Sequence, residues 1–241
     1  MINAVLFDLD GTLLSMDTEG FTKYYFGLLT KKFEPYGFNA KELTESVWTG
    51  IGAMVKNDGQ MTNEEAFWKK FESIMGERVR KYENLFEDFY KVDFNNARVV
   101  TDKDDKLVKL VHFLKANGTR VILATNPVFP YIATENRIKW AGLEPEDFEL
   151  ITTYENTSYC KPNIHYYEDI LKRTGLKAEE CIMIGNDVSE DMPVTELGMK
   201  AFLLTRDLLN KENKDISVYP NGGTDELVKM LEKEMGIPIS L

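Results

Sequence analysis

The sequence predicts an α/β protein in which a doubly wound parallel sheet carries an inserted all-helical segment. Short apolar runs alternate with helical patterns in the second half of the chain, as expected for a parallel sheet with covering helices. A further apolar run lies at the N-terminus, and four amphipathic helical patterns separate it from the others. With 241 residues, the chain is long enough to bury a core of this size.

The N-terminal apolar run is followed at once by two carboxylates. Val5, Leu6 and Phe7 precede Asp8, and Asp10 follows after one intervening residue. A fully apolar run is typical of a strand buried on both faces of a parallel sheet, whose carboxyl edge is where such proteins bind ligands. Like charges this close are costly unless a cation or a raised pKa relieves them. The sequence therefore predicts a functional site at the end of this strand.

Four helical patterns follow the first strand. Their apolar residues recur at helical spacing within segments 21–33, 43–55, 66–75 and 79–90. Thr62 and Glu65 have the spacing of a capping box, which predicts the start of the third helix. Successive amphipathic helices with short connections should pack as an antiparallel bundle. We therefore expect a helical domain over residues 16–96, inserted into a core formed by residues 1–15 and 97–241.

Strand and helix patterns alternate through the rest of the chain. A helix is expected over residues 101–118, and strands are expected over 120–124, 148–152, 181–184 and 201–204. Further helices are expected over 132–140 and 163–175, in a short segment that ends at Gly198, and from 224 onwards. Polar residues follow the strands. Thr125 and Asn126 come after the strand that starts at residue 120, Lys161 after the next, and Asp187 and Asp191 after the strand at 181–184. Parallel strands end at one edge, so these residues should lie near the first strand's carboxylates.

Four segments of the chain resemble the motifs of one enzyme superfamily. The string Asp8-Leu9-Asp10-Gly11-Thr12 resembles the first motif of the haloacid dehalogenase superfamily, most of whose members are magnesium-dependent phosphatases. Thr125 is similar to its second motif and Lys161 to its third, while Asp187 and Asp191 resemble the acidic pair of the fourth. The predicted sheet matches the Rossmann-like core of this superfamily. The helical insertion matches the cap domain that many members carry after the first strand.

The resemblance implies a role for each residue in phosphoryl transfer. Asp8 would be the nucleophile that forms an aspartyl-phosphate, and Asp10 would protonate the leaving group and then activate water. Thr125, Asn126 and Lys161 would bind the substrate phosphate. An anion attacking an anion needs nearby positive charge, which the lysine and a metal ion would supply. The expected partner is a small-molecule phosphate ester.

The resemblance also implies a magnesium site. Mg²⁺ would be held by the Asp8 carboxylate, the Asp10 carbonyl oxygen and Asp187, with Asp191 supporting this set from behind. The superfamily often has an aspartate directly after the glycine of the fourth motif, where this chain has Asn186. We assign the metal role to Asp187 because its four-residue spacing to Asp191 is retained, and we treat Asn186 as a loop residue.

Composition limits the binding partners and the cellular location that can be expected. The net charge of −11 and a pI near 4.8 disfavour general binding to nucleic acid or to an acidic membrane surface. No signal-like segment or membrane-length apolar run is present in the sequence, so we expect a cytoplasmic protein. Cys160 and Cys181 lack metal-ligand spacing, and no disulfide is expected in a reducing compartment.

Other functions on the same scaffold stay open alternatives. A phosphomutase of this superfamily commonly uses a histidine in the cap, whereas His112 and His165 both lie outside it. A phosphonatase and a catalytically silent binding or regulatory protein are further alternatives. Members that cleave carbon–halogen bonds lack the second aspartate, which Asp10 supplies here. Gly50 and Gly52 mark either a substrate loop of the cap or a packing kink. The sequence leaves the particular ester and the oligomeric state open.

Overall fold

A six-stranded parallel sheet lies at the centre of the computed structural model, which describes residues 2–241. The strands of the protein are, in chain order, β1 (Ala4–Phe7), β2 (Leu14–Met16), β3 (Thr101–Lys103), β4 (Arg120–Leu123), β5 (Leu150–Ile151), β6 (Cys181–Gly185), β7 (Lys200–Leu204) and β8 (Asn221–Gly222). The sheet order is β5-β4-β1-β6-β7-β8, and β2 pairs with β3 separately and antiparallel. Leu6 in β1 lies between Ile122 and Met183 of its two neighbours. The ends of β1, β4 and β6 therefore lie side by side.

Helices cover both faces of this sheet. They are, in chain order, α1 (Thr18–Phe33), α2 (Ala40–Val55), α3 (Asn63–Met75), α4 (Glu83–Lys91), α5 (Asp105–Ala116), α6 (Tyr131–Trp140), α7 (Ile164–Thr174) and α8 (Thr224–Met235). Alternate residues of β1 face opposite sides, so Val5 and Phe7 join one apolar cluster while Leu6 joins the other. The first cluster includes Leu110 of α5, and the second includes Ile170 of α7. The predicted doubly wound α/β fold is confirmed.

Helices α1 to α4 form a separate unit packed around aromatic side chains. The rings of Phe33 and Phe86 have centroids 4.2 Å apart, and Phe71 packs edge-on against Phe86 at 5.7 Å. Aromatic pairs of this kind contribute both buried area and preferred geometry. We propose that this unit, residues 16–96, is a cap domain on a core of residues 1–15 and 97–241.

The two chain crossings between the helical unit and the core form a small hairpin-like pair that was not predicted. Residues 101–103 were expected to begin a helix, but they form β3 and pair with β2 on the way into the helical unit. Helix α5 begins only at Asp105, because the Asp104 side chain accepts hydrogen bonds from the amides of Lys106 and Leu107. The polar sequence of β3 carries no alternation that would reveal a strand.

Two further elements differ from the predicted helices. The fourth helical pattern is divided into a 3₁₀ segment, Glu77–Tyr82, and helix α4. The short helix expected before Gly198 is a 3₁₀ segment, Met192–Leu197. Gly50 and Gly52 lie inside α2 and form no loop. A Cβ atom on Gly50 would lie 2.6 Å from the Phe67 ring, so this glycine permits close packing of α2 against α3.

Two further properties of the fold concern membrane-spanning helices and the cysteines. Within residues 2–241 no helix is long and apolar enough to cross a membrane. Cys160 and Cys181 are free thiols, and both are buried.

Candidate active site

The ends of the three central strands bring the sequence-predicted residues to one edge of the sheet. Asp8 follows β1 directly, and its amide donates a hydrogen bond to the Ile184 carbonyl of β6 at 2.9 Å. Thr125 follows β4 and is buried. Its carbonyl oxygen accepts hydrogen bonds from the hydroxyls of Thr152 and Tyr166, both at 2.8 Å. The backbone that presents these two side chains is therefore fixed by neighbouring elements.

A buried lysine connects two of the predicted acids. Lys161 Nζ lies 2.9 Å from Asp8 Oδ1 and 2.6 Å from Asp191 Oδ1, and its side chain is 0% exposed. Burial by itself would lower the pKa of Lys161, but the carboxylates of Asp191 and Asp8 outweigh it and raise this pKa well above its usual range. The ammonium therefore stays charged between the two acids. Burial raises the pKa of Asp191, and the ammonium of Lys161 opposes that shift.

The position of Asp191 depends on a glycine at the end of β6. Asp191 Oδ2 accepts a hydrogen bond from the Asp187 amide at 3.0 Å, which ties the two acids of the fourth motif together. A Cβ atom on Gly185 would lie 2.1 Å from Asp191 Oδ2, well inside van der Waals contact. Only glycine therefore leaves room for the Asp191 carboxylate where Lys161 meets it.

Asp187 accepts hydrogen bonds from the loop after β6 through only one of its two carboxylate oxygens. Its Oδ1 accepts hydrogen bonds from the amides of Ser189 at 2.7 Å and Glu190 at 3.0 Å. This arrangement leaves Oδ2 outside the loop's own hydrogen bonds. Lys161 likewise uses only Oδ1 of Asp8. One carboxylate oxygen on each residue is thus available to a cation.

Asn186 is more than the loop residue that the sequence suggested. Its buried side chain accepts a hydrogen bond from the Thr12 hydroxyl at 3.0 Å and donates one to the Asp207 carbonyl at 2.7 Å. Gly11 has a φ of +82°, and a Cβ atom there would lie 2.2 Å from Asn186 Nδ2. Asn186 therefore joins the first motif to the fourth, a long-range contact that the local sequence pattern does not reveal.

Arg137 holds the second aspartate of the first motif, and sequence reasoning missed it. This fully buried residue of α6 forms an ion pair with Asp10 Oδ2. Its guanidinium lies 4.3 Å from the centre of the Phe129 ring, and its Nε donates to the Ala133 carbonyl at 3.2 Å. Burial raises the pKa of Asp10, and Arg137 opposes that shift. Asp10 Oδ1 is buried and has no hydrogen-bond partner among residues 2–241.

Glu190 is a second residue that the motif pattern did not indicate. Its Oε2 accepts a hydrogen bond from Asn126 Nδ2 at 2.9 Å, which orients the side chain predicted to bind phosphate. Burial, together with the nearby carboxylates of Asp191, Asp187 and Asp8, raises the pKa of Glu190 to about 8, although Lys161 acts in the opposite sense. Glu190 lies between Asp187 and Asp191 in the sequence, and its hydrogen bond with Asn126 links the loop after β6 to the loop after β4.

The set of metal ligands predicted from the sequence is a small one. No three His, Cys, Asp or Glu side chains within residues 2–241 are grouped as a metal-binding cluster. The set expected from the resemblance is smaller than such a cluster, since it needs two carboxylates and one carbonyl oxygen. Asp8 and Asp187 are the carboxylates in that set.

This architecture defines the class of protein. Two aspartates and a buried lysine lie together at the carboxyl edge of a parallel sheet, which is where α/β proteins of this kind bind their ligands. The model of the haloacid dehalogenase-like hydrolases matches residues 2–195. The chain therefore belongs to this family, and the prediction of a phosphatase-like hydrolase of this superfamily is confirmed.

The relatives and solved structures agree with that assignment. The chain is 27% identical over 233 residues to a glyceraldehyde 3-phosphate phosphatase of Methanothermobacter thermautotrophicus, covering 90% of this chain and 91% of that protein. It is 25% identical over 240 residues to the protein of the same description from Methanocaldococcus jannaschii, covering 97% and 100%.

Two solved structures share the fold. The crystal structure of a HAD phosphatase from Thermococcus onnurineus has a TM-score of 0.60 at 20% identity, covering 95% of this chain and 98% of that one. The putative HAD-hydrolase YfnB from Bacillus subtilis, described as bound to magnesium, has a TM-score of 0.56 at 18% identity, covering 96% and 99%.

Proposed function

We propose that the protein is a Mg²⁺-dependent phosphatase that hydrolyses a small-molecule phosphate monoester through an aspartyl-phosphate on Asp8. The observation that carries this proposal is the contact of Lys161 with Asp8 and Asp191. A buried ammonium beside a carboxylate at a strand end offsets the charge of an approaching phosphate, and it fixes the carboxylate that attacks. The strand-end positions of Thr125 and Asn126 support a phosphate site on the same edge of the sheet.

The proposed reaction has two steps on the residues of the chain. An Asp8 carboxylate oxygen forms a bond to phosphorus while the bond from phosphorus to the leaving-group oxygen breaks, and Asp10 gives that oxygen a proton. Asp10 then takes a proton from a water molecule whose oxygen bonds to the phosphorus of the aspartyl-phosphate. The bond from phosphorus to the Asp8 oxygen breaks, which releases inorganic phosphate and regenerates the Asp8 carboxylate. Asp10 Oδ1 supports this role, because it is a buried oxygen without a hydrogen-bond partner among the described residues and is left for the leaving-group oxygen or the attacking water.

The free oxygens of the site fit a magnesium ion. Mg²⁺ prefers carboxylate and carbonyl oxygens, and one oxygen each of Asp8 and Asp187 is left outside the hydrogen bonds of the loops. These two residues and the Asp10 carbonyl oxygen would hold the ion, with Asp191 supporting Asp187 through its amide. A bound Mg²⁺ would neutralise charge on the phosphate and on the attacking carboxylate.

The substrate is proposed as a class, with one member to be tested first. Both archaeal relatives are described as glyceraldehyde 3-phosphate phosphatases and match the chain over nearly its full length. Glyceraldehyde 3-phosphate is a small phosphate monoester and is therefore the first ester to assay. A panel of sugar phosphates, nucleoside monophosphates and phosphoglycolate would define the range. We also propose a cytoplasmic location, with neither nucleic acid nor a membrane as a partner.

Substitution of the nucleophile tests the proposed function. Asp8→Asn should lower the rate of phosphate release from 4-nitrophenyl phosphate with Mg²⁺ by at least about a thousandfold, because the amide is a poor nucleophile. Glu179→Gln is the control, since Glu179 is exposed and precedes β6, at the opposite end of that strand from Asp187, and it should leave the rate unchanged. Circular dichroism of both variants checks the fold. A folded Asp8→Asn protein that retains wild-type turnover would refute the proposal.

A further inference from the structure

A cavity separate from the strand-end acids lies between the helical unit and the core. Its volume is about 400 Å³, within the range of small-molecule sites. Helices α1 to α4 form one side, and core segments 128–132 and 154–155 form the other. Aromatic side chains make up much of the wall: Tyr25, Phe67, Trp68, Phe86, Tyr90, Phe129, Tyr131 and Tyr154. None of the residues proposed for catalysis lines this space.

All charged residues on the cavity wall are acidic. They are Glu64, Glu83, Glu87 and Glu155, and no lysine, arginine or histidine lines the cavity. Two of these glutamates form ion pairs with basic residues that do not line the cavity. Glu83 pairs with Arg80 at 2.9 Å, and Glu87 pairs with Lys91. Their negative charge is therefore largely compensated at the surface.

The charge of the other two glutamates is less compensated: Arg80, which already pairs with two further glutamates, offsets part of the charge of Glu64. Neither Glu64 nor Glu155 forms an ion pair within residues 2–241. Burial raises the pKa of Glu64, and the charge of Glu155 raises it further. Glu155 Oε1 accepts a hydrogen bond from the Tyr131 amide at 2.8 Å, but its Oε2 is buried without a partner in the described chain. Two carboxylates that repel each other therefore face one aromatic cavity.

The lining excludes most kinds of ligand. A second anion would meet incompletely compensated negative charge, and a purely neutral apolar ligand would leave the carboxylates desolvated and unpaired. A hydrated metal ion would have to shed water against aromatic walls, and no cluster of three metal-ligating side chains occurs within residues 2–241. An organic cation satisfies both halves of the lining, since the carboxylates neutralise an ammonium group and aromatic faces attract it. Arg80 already lies over the Trp68 ring, and Arg137 lies over the Phe129 ring. The other aromatic rings of the wall are therefore the ones left for a ligand.

We propose that this cavity binds a small organic ammonium ion with an apolar or aromatic body, held by Glu64 and Glu155 against the aromatic wall. The cavity is close to the catalytic edge. Its wall residue Phe129 stacks on Arg137, which pairs with Asp10, and Phe129 follows the phosphate-binding Asn126 by three positions. The ammonium belongs either to the leaving group of the phosphate ester or to a separate amine that occupies the cavity beside it.

Direct binding tests the site without any catalytic assay. Isothermal titration with benzyltrimethylammonium should give saturable binding, about tenfold or more tighter than the neutral benzyl alcohol and the anionic benzoate. Glu64→Gln and Glu155→Gln should each weaken binding of the cation about fivefold or more. The ratio of the affinity for benzyltrimethylammonium to the affinity for benzyl alcohol should therefore fall in both variants. Tryptophan fluorescence of the Trp48→Phe, Trp140→Phe background, in which Trp68 on the cavity wall is the remaining tryptophan, gives a second readout.

A matched control separates local from overall charge. Glu179→Gln removes the same charge at an exposed site on the core and should leave binding of the cation unchanged. Thermal unfolding of each variant checks that the fold is intact. Three results would overturn the proposal: no binding of benzyltrimethylammonium, equal affinity for benzyl alcohol, or a loss of affinity in Glu179→Gln as large as in the two cavity variants.

A second experiment, which rests on the proposed phosphatase function, identifies the source of the ammonium. The kcat/KM values of 4-(aminomethyl)phenyl phosphate and 4-methylphenyl phosphate are compared in the wild type, Glu64→Gln and Glu155→Gln. A ratio that favours the amine and falls in both variants assigns the ammonium to the substrate. A ratio that the variants leave unchanged, when the wild type binds benzyltrimethylammonium and the variants bind it more weakly, assigns the cavity to a separate amine. Failure to cleave either ester would contradict the phosphatase function while leaving the binding site standing.

Discussion

At the scale of single residues, the candidate site depends on positive groups buried against aspartates. Lys161 is completely buried between Asp8 and Asp191, and Arg137 is completely buried against Asp10. A buried ion pair is not in itself stabilising, because desolvation offsets much of the attraction. Removal of one partner is costly, however, since it leaves the other charge buried alone. These pairs therefore give sharp predictions for activity and stability.

Neutralising Lys161 should damage both catalysis and folding. Lys161→Gln leaves the carboxylates of Asp8 and Asp191 facing each other without a cation, so we expect a loss of about 3 kcal/mol in the free energy of unfolding. The rate of phosphate release should fall at least about a hundredfold. Urea unfolding and a phosphate assay measure the two effects. Lys172→Gln, at an exposed position on α7, should change neither, and a fully active Lys161→Gln protein would contradict the assigned role.

Replacing Arg137 should affect Asp10 through lost contacts as well as lost charge. Arg137→Gln removes the ion pair and the stacking on Phe129, and we expect the free energy of unfolding to drop by about 2–3 kcal/mol. Arg137→Lys keeps the charge but loses the planar fork, so it should recover only part of that loss. Urea unfolding of the two variants in parallel makes the comparison. Equal stability of both variants and the wild type would show that the pair is unimportant.

The residues differ in how visible they are in the sequence. Asp8, Thr125, Lys161 and Asp187 follow strand patterns in order, so their convergence on one edge could be predicted from topology and from the resemblance. Arg137 lies within an ordinary helical pattern, and its partner is far away along the chain. Glu190 and Asn186 likewise work through long-range contacts. Local periodicity carries no information on such pairs.

At the scale of elements, the end of β6 positions the acids of the fourth motif. Gly185→Ala would place a methyl group 2.1 Å from Asp191 Oδ2 if nothing moved, so the carboxylate must shift from Lys161. We expect at least about a tenfold loss of phosphate release and a loss of about 1–3 kcal/mol in stability. Gly27→Ala in α1 is the control, because no atom lies within 4 Å of the added methyl. There the helix should be unchanged or stabilised by up to about 1 kcal/mol. Equal effects of the two substitutions would contradict the packing argument.

Elements with strong local signals matched their predictions. The capping box of Thr62 and Glu65 begins α3, and Asn163 and Gly175 cap the two ends of α7. The β2–β3 pair was missed because strand pairing between the two chain crossings is a tertiary effect, and its residues show no apolar alternation. Helix α4 starts later than its apolar pattern because the preceding turn is 3₁₀.

At the scale of the whole molecule, the helical unit packs on the core beside the edge of the sheet where the candidate site lies. The amides of Asn63 and Glu64 at the start of α3 donate to the carbonyls of Thr157 and Tyr154, both at 2.8 Å. The Asn63 side chain is fully buried and donates toward Pro127 and Tyr159. These contacts surround the segment that leads to Lys161. The helical unit therefore contacts the core next to two of the segments that carry the candidate site residues.

The two buried thiols, Cys160 and Cys181, can show whether the native packing opens. Burial raises the pKa of Cys160 to about 12 and that of Cys181 to about 11, so both stay protonated at pH 8 as long as the protein is folded. Ellman's reagent at pH 8 should therefore react with neither thiol in the native protein. Both should react once guanidinium unfolds the chain, because exposure lowers their pKa values toward about 8.5. Rapid reaction of one thiol in the native protein would show that the surrounding packing opens locally.

The central claim is that Asp8 becomes phosphorylated during turnover, and the stereochemistry at phosphorus tests it most directly. A phosphorothioate ester made chiral at phosphorus with two oxygen isotopes is hydrolysed in water of the third isotope, and the configuration of the released inorganic thiophosphate is determined. Two successive displacements, first by Asp8 and then by water, each invert phosphorus, so the account predicts overall retention. Net inversion would mean that water attacks the ester directly, and it would contradict the role assigned to Asp8.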